Sequence, residues 1–96
     1  MSMVIGLLTL ELQIPESGSL KQKRQVIRSV VDKIRQRLNV SVAEVDHQDS
    51  WQLATLAIAC VATDAAGAQQ MMQSAVNLIE TRRFDLVLLD YQTELL

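Results

Sequence analysis

This 96-residue chain has one cysteine, one proline, three glycines and three aromatic residues. Each shortage excludes something. A lone Cys60 rules out a disulfide framework and fits a reducing compartment. Scarce glycine and proline, with 49% apolar and 21% charged residues, exclude disordered, collagenous and low-complexity classes. With only Trp51, Phe84 and Tyr91, the chain cannot display the stacking aromatics of an RNA-recognition sheet. Residues 53–62 are the longest nearly apolar run, interrupted by Thr55, and fall short of the roughly 18–20 residues of a membrane span. The opening Met1-Ser2-Met3-Val4-Ile5 has no basic stretch of the kind that starts a signal peptide. The expectation is one cytoplasmic domain over residues 1–96, away from membranes.

What is present has clear periodicity. Leu8, Leu10, Leu12 and Ile14 alternate with Thr9, Glu11 and Gln13, which predicts a strand from about Met3 that stops at Pro15. Ser19 with Gln22 three residues on is a capping-box pattern. Leu20, Ile27, Val31, Ile34 and Leu38 then recur at helical spacing, with Val30 on the flank, so residues 20–38 read as a helix. Residues 40–45 and a run from Trp51 or Gln52 to Ala62 read as a hairpin around the polar loop 46–50. Thr63 or Asp64 caps a second helix, whose stripe is Ala68, Met71, Met72, Ala75, Leu78 and Ile79 and whose end is near Thr81-Arg82-Arg83. A last strand is expected from Leu86 to about Leu95, with Val87, Leu89, Tyr91 and Leu95 on one face.

The order β-α-β-β-α-β with right-handed crossovers gives a ferredoxin-like α+β sandwich. It is a four-stranded antiparallel sheet with the first and third strands central and both helices on one face. The uncovered face would then hold Ile5, Leu7, Ala57, Ala59, Leu86 and Leu88 among acids, and a homodimer is expected through it.

Charge is unevenly placed. Residues 21–37 hold seven cations and one acid, Asp32, whereas the rest of the chain has two cations and ten acids. Cations in the first turns of a helix oppose its dipole, at about 0.3–1 kcal/mol each. A local cost of that kind draws attention to Ser19, Lys21, Lys23, Arg24 and Arg28 as contacts for an anion or RNA phosphate. The plainer reading of the same residues is a solvated helix face. The spacing is not that of a nucleotide-binding loop. The sheet face, with Glu11, Asp90 and Glu94, repels phosphate, so any RNA is met by the first helix.

Other candidates are weaker. Asp46, His47 and Asp49 read as a polar turn, with no catalytic set, metal site or cofactor assigned. Trp51 reads as a core or hairpin anchor, Met71 and Met72 as core filler, and Cys60 as a buried, inert thiol.

Two segments carry a family resemblance: Ile14-Pro15 through Ser19-Leu20-Lys21-Gln22-Lys23-Arg24, and Asn39-Val40-Ser41-Val42-Ala43-Glu44-Val45 on to Trp51-Gln52. They resemble the YlxP-like proteins, a bacterial family of unknown function, and the similarity runs over essentially the whole chain. The resemblance implies a ferredoxin-like fold and no established activity. Family members are often encoded beside translation-initiation and ribosome-maturation factors, which associates them with RNA or the ribosome. Many members carry His where this chain has Gln13 and a basic residue where it has Leu53, so no role for an imidazole or cation there carries over.

The reading is a non-enzymatic cytoplasmic binding module, RNA- or ribosome-associated, that contacts phosphate through its basic first helix. The rivals are a self-associating regulatory or small-molecule-binding module that uses the open sheet face, and, third, a small enzyme built on the 46–49 loop.

Overall fold

In the computed structural model, which describes residues 1–82 and 84–96, the elements follow the expected order. They are β1 (Val4–Gln13), α1 (Leu20–Arg37), β2 (Ser41–Asp46), β3 (Leu53–Ala62), α2 (Ala65–Thr81) and β4 (Val87–Leu95). The strands form one antiparallel sheet in the order β2-β3-β1-β4, an α+β ferredoxin-like arrangement. Arg83, expected at the end of the second helix, lies outside the described residues.

β1 is central because its alternation is complete. Leu8, Leu10 and Leu12 are buried beneath the helices, while Leu7, Thr9, Glu11 and Gln13 turn half-buried to the other face. It pairs with β3 without a break from Val4↔Ala62 to Gln13↔Leu53. Gly6 lets α2 approach the sheet closely: a Cβ there would come to 3.0 Å of Cys60 Sγ and 3.2 Å of Met72 Sδ. Both helix starts are capped as expected. Ser19 Oγ accepts from Gln22 N at 3.1 Å, and Asp64 Oδ1 accepts from Gly67 N at 2.7 Å.

Two expectations need correction. The buried stripe of α1 is Lys23, Ile27, Val30 and Ile34; Val31 and Leu38 pack only at the core's margin. At 100° per residue that stripe is turned about 40° from the expected one, toward Val30 and Lys23. In β4 the expected face is also wrong. Leu12 pairs with Leu88 but Glu11 pairs with Asp90, so a bulge inserts one residue between them. The bulge puts Leu88, with Leu86, against the core and leaves Val87 and Leu89 46% and 53% exposed. The uncovered face therefore keeps Ile5, Leu7, Ala57 and Ala59, loses Leu86 and Leu88, and gains Val87 beside Asp90, Gln92 and Glu94.

Candidate functional site

The basic residues of α1 divide into two kinds. Lys21, Arg24 and Arg28 are exposed. On the helical wheel they share one side, turned 100° to 160° from Lys23 at the centre of the buried stripe. Asp32 lies one turn beyond Arg28 on the same side and closes the patch. Ser19 sits at its start, with its oxygen committed to the cap and its hydroxyl hydrogen free to donate. The cap is reciprocal, since Gln22 Oε1 accepts from Gly18 N at 2.6 Å. Buried Ser17 donates its hydroxyl to Ser19 O at 2.9 Å and so fixes the chain entering the helix.

Lys23 is the other kind, and its expected role as an anion contact is corrected. It is fully buried. Its ammonium donates to His47 O at 2.7 Å and Leu53 O at 3.0 Å, and lies 3.0 Å from Glu44 Oε2. The Glu44 contact is ionic rather than an aligned hydrogen bond, and Oε2 has no other partner. Fully buried, with two donors spent on carbonyls and its charge paired by Glu44, Lys23 has nothing left for a ligand. It is a staple that holds the β2–β3 loop to α1. Sequence reasoning missed it because the residue type outweighed the spacing. Lys23 stands four before Ile27 and seven before Val30, a core position by periodicity. The acid to pair with it, Glu44, sits on the same sheet face as buried Val42 in the short strand β2.

The loop 47–52 is tied down at further points. His47 adopts a left-handed φ of 62°, Ser50 N donates to His47 O, and Ser50 Oγ accepts from Leu53 N at 3.0 Å. Asp46 Oδ1 accepts from His47 N, so that carboxylate serves the turn. Gln52 Nε2 donates to Pro15 O and Ser17 O, each at 3.2 Å, which joins the loop to the turn before α1. Trp51 was expected to be an anchor, but it is 55% exposed: the loop is held by its backbone and by Lys23, so the indole is not needed inside. Arg35 Nη2 donates to Val42 O at 3.0 Å and guards the outer edge of β2.

The uncovered sheet face has the opposite charge. One row across the sheet runs Asp46, Thr55, Glu11, Asp90. Thr55 Oγ1 donates to Glu11 Oε2 at 2.7 Å, and Glu11 lies directly opposite Asp90. The acids Glu11, Asp90 and Glu94 share this face, as expected. Gln13 and Leu53 are direct cross-strand partners on the same face. Cys60 is buried, with its thiol 3.9 Å from Ala68 O, and Met72 fills the core below α2.

Residues 5–93 match the family described as "Protein of unknown function (DUF503)". The chain is 31% identical over 78 residues to "Uncharacterized protein YlxP" of Bacillus subtilis (strain 168), covering 81% of this chain and 85% of that one. The resemblance in the two sequence segments is thus borne out. Among solved structures, the de novo designed protein Foldit4 overlays with a TM-score of 0.49 at 9% identity, over 97% of each chain. The REP-associated tyrosine transposase bound to a REP hairpin overlays with a TM-score of 0.45 at 9% identity, over 96% of this chain and 55% of that one.

Proposed function

The chain belongs to the DUF503 family, proteins of unknown function, and from that premise we propose a binding module that meets RNA phosphate through Lys21, Arg24 and Arg28 of α1. The observation that carries this reading is the sorting of the cations. The one lysine with a structural role, Lys23, has its own acid, whereas Lys21, Arg24 and Arg28 are exposed and have no ion-pair partner among the described residues. Lys21 and Arg24 stay in the first turn and a half, near the positive end of the helix dipole, despite the local cost. Three cations on one side of a helix neutralise a short run of phosphates, and the acidic sheet face turns the polyanion toward that side. The domain serves here as a cytoplasmic adaptor for RNA or the ribosome, without a catalytic step.

The test is titration of a fluorescein-labelled single-stranded RNA. Three neutralised phosphates predict a slope of log affinity against log salt near about −2, which is roughly twentyfold weaker binding at 200 mM than at 50 mM salt. Lys21→Glu with Arg24→Glu abolishes that binding and leaves the fold intact, since acids suit a helix N-terminus. A double variant that binds as the parent does at both salt concentrations overturns the reading. Trp51 is the chain's only tryptophan and lies in the loop stapled to α1, so its emission gives a second reading of the same event.

A further inference from the structure

We infer that β4 is a self-pairing edge, through which two copies join their sheets antiparallel in a register centred on Thr93. The two edges of the sheet are unlike. β2 is six residues long and covered by Arg35 at Val42 O. β4 is nine residues long, contains no lysine, arginine or proline, and has no strand on its outer side among the described residues. Beyond its bulge, a long edge with open backbone groups and no cation or proline is a template for another strand.

The ladder with β1 shows which groups are open. Ile5 and Leu96 exchange both backbone hydrogen bonds, Ile5 N to Leu96 O at 3.2 Å and Leu96 N to Ile5 O at 2.8 Å. Bonded pairs recur at every second residue, so Leu7↔Glu94 and Thr9↔Gln92 are bonded as well. The N–H and C=O of Tyr91, Thr93 and Leu95 therefore point outward. Asp90 Oδ1 accepts from Tyr91 N at 2.8 Å, a stand-in that marks this donor as unpaired by β1.

A second copy must place outward residues opposite outward residues. Tyr91 on Thr93 sets Asp90 against Glu94, and Thr93 on Leu95 sets Glu94 against its own copy; both oppose like charges directly. Tyr91 on Tyr91 drives the bulged Leu89 against Thr93. Thr93 on Thr93 avoids all of these. It bonds Thr93 to Thr93 and Tyr91 to Leu95 twice, the Leu95 carbonyl taking over from Asp90, and sets Gln92 against Glu94. Tyr91 and Leu95, each 40% exposed on the helix side, then cover one another. They do so beside an open hollow of about 200 Å³ between α2 and β4, lined by Met72, Val76, Tyr91 and Thr93. The interface thus lies on an edge rather than on the uncovered face, where the acid row opposes the approach of a second acidic copy.

Sedimentation equilibrium over a concentration series into the high-micromolar range tests this. The expected result is a monomer–dimer equilibrium that added salt strengthens, because the remaining acid–acid approaches are diagonal and screened. Thr93→Lys and Thr93→Glu are each monomeric, with unchanged circular dichroism and melting, because the site lies on an exposed edge. An equimolar mixture of the two recovers the dimer, since only this register puts residue 93 opposite itself. A parent chain that stays monomeric throughout, single variants that dimerise as the parent does, or a mixture that stays monomeric would each overturn the proposal.

Discussion

At the scale of single residues, Lys23 and its neighbours show how position decides the role of a charge. Lys21, Lys23 and Arg24 lie within about one helical turn, yet only Lys23 points into the sandwich. Taking one partner from a buried ion pair leaves the other charge stranded, at about 3–5 kcal/mol. Lys23→Met is expected to lose that order of stability, read as a lower midpoint in urea at an unchanged slope. Glu44→Gln should cost clearly less, because Lys23 keeps its two carbonyl acceptors and the amide oxygen can still accept from it. Lys23→Met, studied where it is folded, keeps the parent's RNA affinity and salt slope. A weakened RNA affinity in that folded variant would return Lys23 to the ridge. The two effects separate a residue that builds the site from residues that touch the ligand.

At the scale of elements, caps and periodicity placed every helix and strand to within about two residues. Two faces were misassigned, each for a local reason. In α1 a lysine occupies a core position, and hydropathy alone moved the stripe toward Val31. Ile34 is fully buried and Leu38 is marginal. Ile34→Ala should therefore cost about 2–5 kcal/mol. Leu38→Ala should cost less than half as much in the same denaturation experiment, and equal losses would argue for the stripe read from sequence. In β4 the bulge adds one residue, and a period of two inverts across it. Alternation in the sequence of β4 carries no mark of that insertion, because the bulge exists only relative to β1.

At the scale of the whole molecule, the sandwich separates its charges. Cations line the solvent side of α1, and acids line the opposite side of the sheet, in a body 23 and 19 Å across its shorter axes. At 0.1 M salt the screening length is about 10 Å, so charges a helix and a sheet apart act nearly independently. Glu94→Gln should then leave RNA affinity within about twofold of the parent, whereas the α1 double variant loses it. A large gain from Glu94→Gln would show RNA approaching the sheet. The division between what was legible and what was not follows the range of the interactions. Alternation, caps, the lone Cys60 and the cationic run of residues 21–37 are local, and the β-α-β-β-α-β fold, its core strand and its basic helix follow from them. Partnerships between distant positions belong to the tertiary structure. It alone decided that Lys23 meets Glu44, His47 and Leu53, that Trp51 stays outside, that Asp46, Thr55, Glu11 and Asp90 share a row, and that β4 turns its outward backbone groups to solvent. The physical reason is that each of these depends on which strand lies beside which and in what register, and register is set by packing the whole core at once.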